Sequence, residues 1–68
     1  MRFLRKDSPI DFVMQEKDRV SLDDKVKDKI TGKIIGVVYD IENVHHSVYV
    51  IGCQMYDGTS TGIEIEYD

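Results

Sequence analysis

Three groups of side chains in this chain are of types that do chemistry. They are the adjacent pair His45-His46, the single cysteine Cys53, and the alternating carboxylates Glu64, Glu66 and Asp68. A cysteine becomes a nucleophile when a histidine takes its proton and a third group orients that histidine. Histidine and cysteine also bind zinc together, from recurrent short spacings. Here no second cysteine exists, and the two histidines lie eight and seven positions before Cys53. Neighbouring residues on a strand point to opposite faces, so His45 and His46 could share an ion only from an irregular loop. An ordinary loop pair at His45-His46 and a small buried hydrophobe at Cys53 explain the same residues with fewer conditions.

The paired glutamates admit acid–base work only if a cleft perturbs one of them. The segment "IEIEYD" offers a plainer pattern, with Ile63, Ile65 and Tyr67 inward and Glu64, Glu66 and Asp68 outward. Such alternation makes a solvated strand face. There is no Gly-rich phosphate loop, no CxxC pair and no Ser/His/Asp arrangement. The expectation is a protein that is not an enzyme, with no catalytic residue, cofactor or metal.

Charge is distributed unevenly. All nine Lys and Arg fall within residues 2–33 among seven acids, a sum of about +2, whereas residues 34–68 carry six acids and no Lys or Arg, a sum of −6. Lys25, Lys27, Lys29 and Lys33, with Arg2, Arg5 and Lys6, are the candidate basic patch, but Asp23, Asp24 and Asp28 interrupt it. Lys and Arg supply most of the affinity for nucleic acid, so nucleic-acid binding is disfavoured. The alternative is an acidic surface for a basic protein partner, centred on Glu64, Glu66 and Asp68 and enlarged by Asp40, Glu42 and Asp57.

The elements that must position these residues are short. A chain of 68 residues makes one domain. Val and Ile supply 16 residues, Leu 2 and Ala none, a composition suited to pleated sheet rather than helix. Four to five antiparallel strands are expected. "SPIDFVMQEKDR" opens with Ser8 as an N-cap and Pro9 at the first helical position, which favours a short helix over a strand built on Ile10, Phe12 and Met14. Val20, Leu22, Val26 and Ile30 occupy one face of an extended segment, turned at Thr31-Gly32. In "KIIGVVYDI", Ile35, Val37, Tyr39 and Ile41 are assigned to one face and Ile34, Val38 and Asp40 to the other. "ENVHH" is a loop, "SVYVIGCQMY" a strand bent at Gly52, and Asp57-Gly58 a hairpin turn. The division is an N-terminal extension or short helix over 1–19 and a barrel over 20–68. No run resembles a signal peptide or a membrane span, which makes the cytoplasm the expected compartment. The basic "MRFLRK" is taken as a terminus rather than a membrane contact.

The stretch "LDDKVKDKITGKIIGVV", followed by "YVIGCQMY", resembles small SH3-like barrel proteins of bacteriophages and prophages. Leu22, Asp24, Val26, Lys27, Asp28, Ile30, Thr31 and Gly32 match their first block. Gly36 and Val38 match the second, and Tyr49, Gly52, Cys53 and Tyr56 the third. Asp23 stands where those proteins usually have glycine. The Gly-x-Val strand also resembles the KOW motif of ribosomal and transcription-elongation proteins. The resemblance implies an SH3-like barrel, and such barrels bind peptides in aromatic-lined grooves. Tyr39, Tyr49 and Tyr56 thus join Glu64, Glu66 and Asp68 as candidate protein-binding residues. The functional expectation is a phage- or mobile-element-encoded binding module for a host or phage protein in the bacterial cytoplasm. The alternatives are a KOW-like nucleic-acid- or ribosome-associated protein and a minor virion component.

Overall fold

The computed structural model describes residues 8–14 and 19–67, and the backbone of residues 3–4. It contains six strands: β1 (Phe3–Leu4), β2 (Ile10–Val13), β3 (Lys25–Asp28), β4 (Ile34–His45), β5 (Val48–Met55) and β6 (Ser60–Tyr67). They form one antiparallel sheet in the order β1-β6-β5-β4-β3-β2. The two N-terminal strands serve opposite edges: β1 bonds to β6 and β2 to β3. The connectivity is therefore that of a five-stranded meander whose N-terminal segment meets both ends. The chain is mainly β, and its curled sheet has the form expected of a small SH3-like barrel.

Strand alternation builds the core. Val26, Val38, Ile51 and Cys53 are wholly buried, joined by Ile10, Phe12, Val20, Ile65 and Tyr67. On β5 and β6 the buried residues fall two apart, at Ile51 and Cys53 and at Ile65 and Tyr67, as period two requires. The register opposes Ile51 to Ile63 and Tyr49 to Ile65, which closes the inner face.

The expected N-terminal helix is corrected to a strand. Ile10 and Phe12 are buried while Val13, the last residue of β2, is exposed. Residues 10–13 pair with residues 28–25, opposing Phe12 to Val26. A short helix is marginal alone, whereas these four residues gain a ladder and two buried side chains. Ser8 does not cap a helix; its hydroxyl exchanges bonds with the Ile10 backbone, accepting from N–H at 3.3 Å and donating to O at 3.2 Å. No helix occurs among the described residues, and residues 15–18 of the expected helix lie outside them.

The faces of β4 are also corrected. Val38 is wholly buried while Asp40, expected on its face, is exposed, and Tyr39 is 56% exposed while Ile41, expected to share its face, packs on the core. An irregularity between Val38 and Asp40 shifts the pairing by one residue, returning Ile41 to the inner face opposite Ile51. A continuous apolar run carries no information about which face is inward, and a bulge inserts the extra residue that breaks simple alternation.

Two further residues expected on the inner face, Leu22 and Ile30, are exposed. Ile30 sits in the turn closed by Gly32 N–H to Asp28 O at 2.8 Å and Asp28 N–H to Lys33 O at 2.8 Å. Most of the expected loop "ENVHH" is strand, since β4 runs to His45 and only His46 and Ser47 turn. Asn43 holds that turn through Nδ2, which donates to the carbonyls of His45, His46 and Val48. Finally, β3 is an inner strand between β2 and β4, so Lys25 and Lys27 do not lie on a sheet edge.

Asp23 has φ of 72°, in the left-handed region. Its N–H donates to Val38 O at 2.9 Å, which fixes this conformation. Aspartate tolerates the region and a β-branched residue does not. Asp23→Val is expected to cost about 1–2 kcal/mol in urea unfolding. Asp23→Gly is expected to stay within roughly 0.5 kcal/mol of wild type, glycine's ease at positive φ offsetting its unfolded-state entropy. Equal losses for the two variants would contradict this backbone geometry.

Candidate functional site

The histidines and Cys53 are not brought together. His45 pairs with Val48 at one end of the β4–β5 hairpin, while Cys53 pairs with Val38 and Thr61 five residues further along β5. At ~3.3 Å per residue that separates them by roughly 16 Å. The His45 and His46 rings meet edge-on with centroids 6.3 Å apart. Cys53 is wholly buried, its Sγ donates to Ile51 O at 3.7 Å, and burial raises its pKa, favouring the thiol over the thiolate. It is a packing residue. Among the described residues no three His, Cys, Asp or Glu side chains are grouped to hold a metal ion.

Two carboxylates close turns. Asp28 Oδ1 accepts from Ile30 N–H at 2.8 Å and Thr31 N–H at 3.0 Å. Asp57 Oδ1 accepts from Thr59 Oγ1 at 2.6 Å and Thr59 N–H at 2.9 Å. These bonds favour the ionised forms and lower both pKa values from the ordinary 3.8: the Thr31 N–H leads for Asp28, the Thr59 hydroxyl for Asp57. A depressed native pKa gives stability that is present above 3.8 and lost as pH falls through the native value. Burial instead raises Cys53 from 9.0 and Tyr67 from 10.0, so their contributions hold below those values and fade above them. Thermal melts across pH should therefore show a plateau falling away on both sides. Asp28→Asn with Asp57→Asn should flatten the acid limb alone; an unchanged acid limb would contradict the role of these turns.

The sheet's outer face gathers the acids. Because Ile51 and Cys53 point inward, Val50 and Gly52 point outward. The register places Val50 between Glu42 and Glu64, and Gly52 between Asp40 and Gly62, with Glu66 one step along opposite Val48. Glu42 and Glu64 thus flank one central residue, about 10 Å apart across two strand spacings. Asp40, Glu42, Glu64 and Glu66 are all exposed, and among the described residues no cation pairs with them. Gly52 and Gly62, directly opposed, leave a strip without side chains. Tyr39 lies over the first of them: a Cβ on Gly52 would stand 3.3 Å from its Cε1 and Cζ.

The candidate binding residues therefore separate. Tyr39, Glu64 and Glu66 share the outer face, together with Asp40 and Glu42. Tyr49 lies on the inner side, opposite Ile65, and packs edge-on against Tyr67 at 5.1 Å between centroids. Arg19 covers that pair, its guanidinium 4.3 Å from the Tyr67 ring centroid and its Nη1 donating to Tyr49 Oη at 3.4 Å. Tyr56 stands at the β5–β6 turn, apart from Tyr39, and its N–H donates to Ile35 O at 2.8 Å. Asp68 lies outside the described residues.

A groove of about 330 Å³ runs beside Tyr56, lined by Ile34, Ile35, Met55, Tyr56 and Asp57. Sequence reasoning assigned Ile34 and Ile35 to a strand and did not foresee this. The signal available was the adjacency of an exposed-side isoleucine to a turn. The clasp of Arg19 on two tyrosines carried no signal, being separated by 30 and 48 positions. The lysines of β3 lie elsewhere: Lys25 opposes Val13 and Val37, and Lys27 opposes Asp11 and Ile34. Searches of protein-family models, curated proteins and solved structures gave no match to the chain.

Proposed function

We propose that the protein is a non-enzymatic binding module, phage- or mobile-element-encoded, that recognises a basic segment of a protein partner in the bacterial cytoplasm. The recognition surface is the outer face of β4, β5 and β6. One observation carries the reading: Asp40, Glu42, Glu64 and Glu66 converge, with no cation paired to them among the described residues, around a strip where two glycines place no side chain. Like charges placed this way repel one another, and an approaching Lys or Arg relieves the repulsion. Tyr39 adds a ring beside the strip, suited to cation–π contact. Complementary charge acts mostly on encounter rate and selectivity, so binding is expected to weaken with salt.

The test compares wild type with Glu64→Lys/Glu66→Lys in affinity capture from bacterial lysate near 0.15 M salt, followed by mass spectrometry. Both positions are exposed, so the double variant should fold. A protein held by wild type and about tenfold less by the variant supports the proposal. Equal retention, or recovery of nucleic acid alone, would overturn it. A gel shift with duplex DNA should show no micromolar complex at the same salt, because the acidic face repels phosphate.

A further inference from the structure

We infer that the groove at the β5–β6 turn is a second recognition site, for an extended peptide segment that places a large apolar side chain within two positions of a Lys or Arg. The inference rests on the reading of the protein as a protein-binding module but uses different residues. The groove floor is apolar, made by Ile34, Ile35 and Met55, and Tyr56 forms one wall with 62% of its surface exposed. Its volume of about 330 Å³ suits one large side chain and its immediate neighbours. Ile30, 91% exposed, stands in the turn leading into Ile34 and extends the apolar end of the barrel.

Charge selects the occupant. Asp57 lines the groove, and its Oδ1 is engaged by both donors of Thr59. Those bonds hold the carboxylate ionised at the rim of the groove. An apolar anchor seated between Ile34 and Tyr56 would bring a cation one or two residues away to that carboxylate. A second copy of this chain fits poorly. A two-fold contact at this patch sets Asp57 toward Asp57, between chains that each carry a net charge of −4.

The experiment pans a random dodecapeptide phage-display library against the immobilised full chain, then measures selected synthetic peptides by fluorescence anisotropy. The expected consensus is Phe, Leu, Ile or Tyr within two positions of Lys or Arg. Tyr56→Ala should weaken binding at least tenfold. Asp57→Asn, which keeps an acceptor for Thr59, should erase a several-fold preference for basic over neutral peptides. Glu64→Lys/Glu66→Lys should leave this binding within about twofold. No enrichment, a consensus without cations, or equal binding by Tyr56→Ala would overturn the inference. Peptides lost only with Glu64→Lys/Glu66→Lys would also overturn it while supporting the outer-face reading. Sedimentation showing a dimer that Tyr56→Ala dissolves would overturn it in favour of a second copy.

Discussion

Replacing Tyr67 with alanine is expected to remove most of the protein's stability, a loss of about 3–5 kcal/mol. A domain of this size has on the order of 5 kcal/mol in total. Tyr67 is buried, and its ring meets Tyr49 on one side and the Arg19 guanidinium on another. Its hydroxyl accepts from Val20 N–H at 2.9 Å, in a buried bond across 47 positions of sequence. That bond anchors the loop between β2 and β3 to the last strand. Its own N–H donates to Ser47 O at 2.9 Å, tying β6 to the β4–β5 turn. Tyr67→Phe isolates the hydroxyl: the ring stays and Val20 N–H is left unsatisfied, at a cost of about 1–3 kcal/mol. Urea unfolding followed by tyrosine fluorescence and far-UV circular dichroism measures both. A loss below about 1 kcal/mol for Tyr67→Ala would refute the anchoring role.

The same residue matters to the binding face. Strand side chains alternate, so a slip of one residue exchanges the two faces. Ile65 and Tyr67 are held inward by burial, which fixes Glu64 and Glu66 outward. The acidic face is thus maintained by the core behind it rather than by contacts of its own. Tyr67→Phe, still folded, should keep binding of the basic partner close to wild type even as stability falls.

How much of this was legible depended on alternation. "IEIEYD" alternates strictly, and β6 is as expected, with Glu64 and Glu66 outside and Tyr67 inside. Asp57-Gly58 marked its turn correctly, and Gly58 has a φ of 95°. Cys53 as a packing residue was also legible, since a lone cysteine has few other uses. The first half of β4 was not legible in its faces, because Ile34, Ile35, Val37 and Val38 are each apolar enough for either side. The bulge after Val38 decided between them, and its cause is the pairing with β5, a non-local interaction. Ser8-Pro9 read as a helix start because local capping chemistry is the same whether or not a helix follows. What overrode it was pairing with β3, which sets Phe12 opposite Val26 and buries both. The outer acidic face needed the register of three strands, so the sequence could name Asp40 and Glu42 as additions but not place them beside Glu64. The groove needed two turns to meet at one end of the sheet.

Gly36→Ala is expected to be the most costly single-methyl change, at about 2–3 kcal/mol, and the glycines of this sheet form a graded series that tests why. Gly36 pairs with Val26 on one side and Met55 on the other, at the inner face. A Cβ there would stand 2.8 Å from Gln54 O, 3.0 Å from Met55 Sδ and 3.2 Å from Met55 Cα. Two of those three atoms are backbone, so relief requires β4 and β5 to part rather than a side chain to turn. At Gly52 the added atom would meet Asp40 Cβ at 3.1 Å and the Tyr39 ring at 3.3 Å, and the exposed ring can swing aside. That change should cost less than about 1 kcal/mol and would lift Tyr39 from the bare strip. At Gly62 the nearest atom is Val50 Cγ1 at 3.6 Å, an ordinary contact, and alanine should be neutral or slightly stabilising. The order of loss in urea unfolding is therefore Gly36, then Gly52, then Gly62. Function should follow a different order. Gly36→Ala displaces Met55 and should weaken groove peptides, whereas Gly52→Ala and Gly62→Ala fill the strip and should weaken the basic partner while the groove still binds. Gly36→Ala within 0.5 kcal/mol of Gly62→Ala would mean that the strands are not as close as the 2.8 Å contact requires.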